Sequence, residues 1–343
     1  MPWLSGVQAA DPGRVHTEGR MARAAIEDAR EQVAALLGAR SREVVLTSGA
    51  TEAINAAVFG TEGPVACAAV EHSAVRDASS RHDVIDVAVD GAGRIDVDSV
   101  RAALDAGARL VQCQWANHEV GTVQPVVEVV DLCRKRGVLV HIDAAAAAGH
   151  VPIGFDDLGA DLLSLSAHKF GGPKGIGALL VRRGLRIDPM LVGGDQERAR
   201  RAGLENVPAI VGFGAAAAAV DVDTEAAQHR AQTDRALAGA LAVDGVRAYG
   251  ADGDGRLPHL VCVGVDGVEA EAVLLGLDQV GVAAHSGSAC SSESLEPSPV
   301  LQAMGVEADR SLRISVGWST TEADIDAFVG AFPTVVERLR ALR

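Results

Sequence analysis

Two stretches decide the fold: 137-GVLVHIDA-144 and 160-ADLLSLSAHKFGGPKGIGALLVRR-183. Each opens as a short apolar run and ends on polar residues, Asp143 in the first and Ser166, His168 and Lys169 in the second. Runs this short, bounded by glycine, read as buried strands rather than helices. Working outward, 43-EVVLTSG-49 leads into the helical pattern 51-TEAINAAVFG-60, and 109-RLVQCQWAN-117 into 125-PVVEVVDLCRKRG-137. Apolar strands alternating with helices predict an α/β fold with a mostly parallel sheet covered on both faces. Ligands of such sheets gather beyond the carboxyl ends of the strands. Ser48, Asn117, Asp143, Ser166 and His168 are therefore site candidates.

The second half has a different rhythm. The alanine-rich 209-AIVGFGAAAAAVDVDTEAAQHRAQTDRALAGAL-241 reads as one or two helices, and 256-RLPHLVCVGVDG-267 as a strand. A helix over 268-VEAEAVLLGLDQVG-281, a strand over 311-SLRISVGW-318 and a closing amphipathic helix over 321-TEADIDAFVGAFPTVVERLRALR-343, with a threonine or serine cap, complete the pattern. The expectation is a large domain over 11–224 and a smaller α+β domain over 225–343, with residues 1–10 as an optional addition to the latter.

The chain has 343 residues, 46 acidic against 31 basic side chains and a net charge of -15. That sign disfavours a nucleic-acid or anionic-membrane partner. With no apolar run long enough to span a bilayer and no secretory pattern at the start, the expected location is the cytoplasm. The five cysteines include no CxxC pair, so neither a disulfide framework nor a metal site is expected. Cys67, Cys113, Cys133 and Cys262 sit in apolar contexts and read as small core residues. Cys290, in 285-HSGSACSSES-294, has small polar neighbours and reads as an accessible, reactive thiol.

Only three of the basic side chains are lysines, Lys135, Lys169 and Lys174. Lysine differs from arginine in being able to lose its proton and act as a nucleophile. Lys169 directly follows a strand, and Asp143 ends a neighbouring one. The turn 47-TSGAT-51 offers backbone N–H groups and hydroxyls at the start of a helix, a natural anion cup. An amine for an aldehyde, a carboxylate for a ring nitrogen and a cup for a phosphate are what pyridoxal 5'-phosphate requires. Ser166 and His168 flank the same edge as further phosphate donors.

The blocks TSGATEAIN, EHSAV, NHEVGTVQP, HIDA, SAHKFGGPKGIGALLVRR, GGDQERARRAGLENVPAIVG, SGSACSSESLEPS and LRISVGW occur in that order. Together they resemble the cysteine desulfurases, pyridoxal phosphate enzymes of fold-type I and of the class V aminotransferase-like group. The resemblance runs from about Asp11 to about Asp326. It implies that Lys169 holds the cofactor aldehyde, Asp143 pairs with the ring nitrogen and His72 stacks on the ring and carries protons. It further implies that Ala50, Thr51, Ser166 and His168 surround the cofactor, and that Asn117 holds substrate or a cofactor oxygen. Arg313 would bind the substrate carboxylate and Cys290 would receive sulfur. The implied reaction converts L-cysteine to L-alanine and a persulfide passed to a sulfur-acceptor protein, in a homodimer, with iron–sulfur cluster assembly one destination. The rival readings are a class V aminotransferase, a selenocysteine lyase, or a weakened sulfur-carrier subunit that needs a partner.

Three departures stand out. The resemblance begins after the strand with which the family opens. Ala146 occupies the place of a glutamine expected to bond the cofactor's phenolic oxygen, and Leu204 that of a threonine expected to reach a partner subunit's phosphate. Each lost hydrogen bond to a charged oxygen should weaken cofactor retention by roughly 1.5–3 kcal/mol.

Overall fold

The computed structural model describes residue 3, residues 10–286 and residues 298–342. Within these lie two sheets. The first contains β1 (Val44–Thr47), β2 (Val65–Ala68), β3 (Val84–Val87), β4 (Leu110–Gln114), β5 (Leu139–Asp143), β6 (Leu162–Ser166) and β7 (Gly177–Val181). Their spatial order is β1-β7-β6-β5-β4-β2-β3. β7 runs antiparallel to both neighbours, while β2 through β6 pair in parallel. The mostly parallel α/β sheet is thus as expected, with one inverted strand. The reason is local: only a 3-10 turn at Ala167–Phe170 and a short glycine-rich link join β6 to β7. A parallel return would need a crossover of a dozen or more residues.

Apolar residues fill both faces. Ile142, Leu163, Leu165 and Leu180 are fully buried within the main core. The helix Thr17–Leu36 packs on Val207–Ala219 along one flank. Gly214 allows that approach, since a Cβ there would lie 2.5 Å from the Ala29 Cα.

The second sheet holds β8 (Val246–Tyr249), β9 (Leu260–Val265), β10 (His285–Ser286) and β11 (Ser311–Ser315), antiparallel in the order β10-β11-β9-β8. It has its own core, in which Val263, Leu277, Leu312, Phe332 and Val336 are fully buried. The alanine-rich stretch forms two helices, Val207–Ala219 and Val222–Leu241. The closing helix Glu322–Arg340 has the expected threonine or serine cap in Thr321, which forms a capping box with Asp324. No single helix among the described residues is long and apolar enough to cross a membrane.

Candidate active site

The carboxyl ends of β1, β2, β4, β5 and β6 surround a cavity of about 220 Å³. Ala50, Thr51, His72, Asp143, Ser166, His168 and Lys169 all line it, so seven of the sequence-derived candidates converge on one space. A second cavity of about 210 Å³ adjoins it, lined by Lys169, His168, His150, His259, Glu225 and Arg313 among others. His118, Ala146, His168 and Lys169 face both cavities. Lys169 therefore stands at the seam between the two, with Arg313 of β11 on the far side.

Local chemistry fixes each wall. Asp143 ends β5 with a nearly buried side chain, and its Oδ1 accepts from the Ala145 N–H (3.0 Å) and the Ser164 hydroxyl (3.1 Å). No described residue donates to Oδ2, and a carboxylate so withdrawn from water needs a cationic or donor partner. The helix Ala50–Phe59 starts at the cavity rim. Its cap is Gly49 at φ 153°, a backbone shape that glycine adopts without penalty. Gly177 is equally constrained: a Cβ there would lie 2.4 Å from the Leu165 carbonyl and 2.7 Å from the Gly49 Cα. The Ala50 N–H already donates to Ser166 Oγ at 2.7 Å, which leaves the Ser166 hydroxyl proton to point at an anion. Ala50 thus contributes to the cup through Ser166.

Lys169 lies on the 3-10 turn after β6, and its carbonyl is held by His150 Nε2 at 2.9 Å. His150 stacks on His259 with ring centroids 3.6 Å apart. Burial pushes the His150 imidazole down to about 4 and His259 well below its usual value, so both support the turn as neutral rings. Burial, then the neighbouring Lys169 and Lys174, also lowers His168. Glu71, beneath the cavity, has its carboxyl pushed up to about 8 by burial, with nearby Asp143 adding to the rise. At neutral pH Asp143 consequently has a largely uncharged neighbour.

Asn117 is the residue the structure reassigns. It is fully buried, lines neither cavity and spends its amide on the backbone. Its Oδ1 accepts from the Glu119 and Val120 N–H groups (2.8 and 2.9 Å), and its Nδ2 donates to the Val70 carbonyl at 3.0 Å. An asparagine that closes its own turn in this way has no oxygen left for a ligand. The next residue, His118, faces the cavities instead, its ring 4.9 Å from that of His72. The signal was present in the same NHEVG block, one position along. His72 itself caps the helix Ser73–Ser79 by accepting the Ala74 N–H at Nδ1 (3.0 Å). Sequence reasoning also missed Gln114, His150, His259 and Glu225, which come from a strand, two turns and a helix far apart in the chain.

Cys290 lies outside the described residues. The chain on either side of its segment is placed at the site: His285 of β10 pairs with Arg313, and Ser298 Oγ donates to Glu119 Oε2 at 2.6 Å. The other four cysteines are buried as expected. Burial pushes the Cys133 and Cys262 thiols up to about 12 and raises Cys67 and Cys113 well above the usual thiol value, so none of the four supplies a thiolate at neutral pH. Leu204 is largely exposed and lines a separate hollow behind the anion cup with Thr47 and Ser48.

Residues 4–328 match the model of the family described as aminotransferase class-V. A cysteine desulfurase of Trichormus azollae is 41% identical over 100% of this chain and 89% of its own. The chain belongs to the cysteine desulfurase branch of the aminotransferase class-V family. Among solved structures, a NifS-like protein superposes with a TM-score of 0.89 at 30% identity, covering 97% of this chain and 93% of that one. The structure described as SspA in complex with cysteine matches with a TM-score of 0.81 at 31% identity, over 92% of each chain. The cavity residues fit the family's cofactor by their chemistry. A withdrawn carboxylate with an open oxygen, a primary amine, and a hydroxyl-bearing helix start converge on one space, as the three ends of pyridoxal phosphate demand.

Proposed function

We propose that this chain is a pyridoxal phosphate-dependent cysteine desulfurase that removes sulfur from L-cysteine and stores it on Cys290. The observation that carries this reading is the convergence of Asp143, Lys169 and Ser166 on one cavity, with Arg313 across the seam. The cofactor, when bound, serves as an electron sink at the substrate's Cα. Asp143 would hold a positive charge at the ring nitrogen, and Thr51, Ser166 and His168 would hold the phosphate with the helix start. Arg313 takes the substrate carboxylate in a two-point grip. Lys169, whose amine would hold the cofactor's aldehyde, would also carry the Cα proton. The Cys290 thiolate attacks the substrate sulfur, forming the S–S bond as the C–S bond breaks and alanine leaves.

The four buried, poorly acidic cysteines support Cys290 as the acceptor by leaving the described chain without a competing thiolate. Residues 11–224 would hold the cofactor, and 225–343 would supply Arg313 and Cys290. The exposed Leu191, Val192 and Leu204, close together in sequence, support a homodimer contact. The reaction belongs in the cytoplasm, with the persulfide passed to an acceptor protein. The test is Cys290→Ser in the cofactor-loaded protein. Sulfide release from L-cysteine should be lost with cofactor content unchanged; undiminished release would favour an aminotransferase or lyase that does not use Cys290.

A further inference from the structure

We infer that Glu225 keeps amino acids with an anionic side chain out of the substrate cavity, and so narrows the site to side chains as uncharged as the thiol of L-cysteine. This rests on the desulfurase reading above and names the residue that sets its substrate class. The excluded class is aspartate together with the sulfinate and sulfonate oxidation products of cysteine. Each carries a second acid group where cysteine carries a thiol that is mostly uncharged at neutral pH.

Glu225 lies in the first turn of the helix Val222–Leu241 and is half-buried. Among the described residues it brings the only carboxylate to the second cavity, where Lys169 and Arg313 are also exposed. Asp143 faces the first cavity, on the side of the cofactor ring. The two cations of the second cavity already have tasks. Lys169 is committed to the cofactor aldehyde and Arg313 to the substrate carboxylate, so neither is left to neutralise a further anion once an amino acid is in place.

The imidazoles of the cavity do not make up the difference. Burial pushes His150 down to about 4 and takes His259 well below its usual value, with His150 adding to the fall. Burial, then Lys169, also lowers His168. His118 has Glu119 Oε1 at 3.5 Å from its Nε2, which balances any charge that ring acquires. His229, one turn along the helix from Glu225, is lowered by burial although Glu225 opposes the shift. The charge left without a counterpart is the Glu225 carboxylate. A compact space of 210 Å³ is only about 7 Å across, inside the screening length of about 10 Å at 0.1 M salt, so a second anion anywhere in it meets that carboxylate. Placing a like charge against the wrong ligand is how a small site rejects a molecule whose shape it would accept.

The experiment is equilibrium titration of the cofactor-loaded protein with L-asparagine and L-aspartate, followed by cofactor absorbance. The two are nearly isosteric and differ in charge, and neither has sulfur to transfer. The wild type should bind L-aspartate about tenfold or more weaker than L-asparagine. Glu225→Gln should close most of that gap by tightening L-aspartate, whereas Glu225→Asp, which keeps the charge, should preserve it. A wild type that binds the two equally overturns the proposal, as does an unchanged ratio in Glu225→Gln. An equal loss in Glu225→Asp overturns it too, by tracing the selectivity to shape. If Glu225→Gln does not load cofactor, Glu225→Ala carries the same expectation and the same refutation. A wild type that discriminates between the pair but makes no alanine and sulfide from L-cysteine would instead refute the desulfurase reading, so the two failures are distinct.

Discussion

Glu197→Gln offers the sharpest test of how the protein holds its anion cup in place. Arg30 and Glu197 are both almost fully buried and meet through two hydrogen bonds, Nη1 to Oε2 at 2.6 Å and Nη2 to Oε1 at 2.8 Å. The same carboxylate accepts the Leu46 N–H at 2.8 Å, and Arg30 Nη1 also donates to the Val44 carbonyl at 2.9 Å. The pair therefore clamps β1 just before Thr47-Ser48-Gly49. It does so from an unfavourable backbone, with Glu197, Arg198 and Ala199 at φ 49°, 58° and 59°. Left-handed conformations cost about 1–2 kcal/mol per residue outside glycine, so the clamp must more than offset them. Replacing Glu197 by glutamine removes the buried, two-bond counter-charge and leaves the guanidinium only the part-exposed Glu27, 3.3 Å from its Nε, so the loss should approach the roughly 3–5 kcal/mol of a broken buried pair. Against a total stability of about 5–15 kcal/mol this is a large fraction. The expected fall in Tm is roughly 5–15 °C by calorimetry. The control is Arg30→Met with Glu197→Leu, which removes both charges and should recover much of the loss. A single variant within about 0.5 kcal/mol of wild type, the range of ordinary surface changes, would refute the reasoning. So would a double variant less stable than the single.

Other perturbations probe the remaining links. Gly214→Ala places a methyl 2.5 Å from the Ala29 Cα and should cost about 1–3 kcal/mol in denaturant unfolding by forcing two helices apart. Ser166→Ala removes the hydroxyl bonded to the Ala50 N–H and should weaken pyridoxal phosphate binding about tenfold or more, read by fluorescence titration of the cofactor-free protein. Glu71 keeps its proton when folded up to about pH 8 but releases it near 4.5 when unfolded. Wild-type stability should accordingly fall as pH rises through that window, and Glu71→Gln should flatten the slope in urea titrations. Asn117→Ala should act on the turn that presents His118, lowering kcat/KM together with stability.

Much of this architecture could be read from local patterns, because a buried strand writes itself as a short apolar run with a polar end. β5 ends at Asp143 and β6 at Ser166, two residues short of the His168 that closes its run in the sequence, and the scarcity of lysine marks Lys169. The inversion of β7 was less visible, since GALLV has the same composition in either direction and only the length of the preceding link decides. β3 escaped notice because its four residues are half exposed and break the apolar run with Asp86. At the site, adjacent polar residues Asn117 and His118 cannot be ranked by type alone. Which of them faces the ligand depends on a turn closed by the Asn117 side chain. The second cavity was hidden for a different reason: His150, Glu225, His259 and Arg313 are distant in sequence and meet only when the two sheets dock.

The central claim is that Lys169 and Asp143 hold one cofactor between them, and reductive trapping tests it most directly. Protein loaded with pyridoxal phosphate, treated with borohydride and digested, should carry the reduced cofactor on the peptide containing Lys169. Asp143→Ala should lower the affinity for the cofactor while leaving that attachment point unchanged. Label found on Lys174 or Lys135 instead, or no label in a folded and loaded protein, would contradict the account.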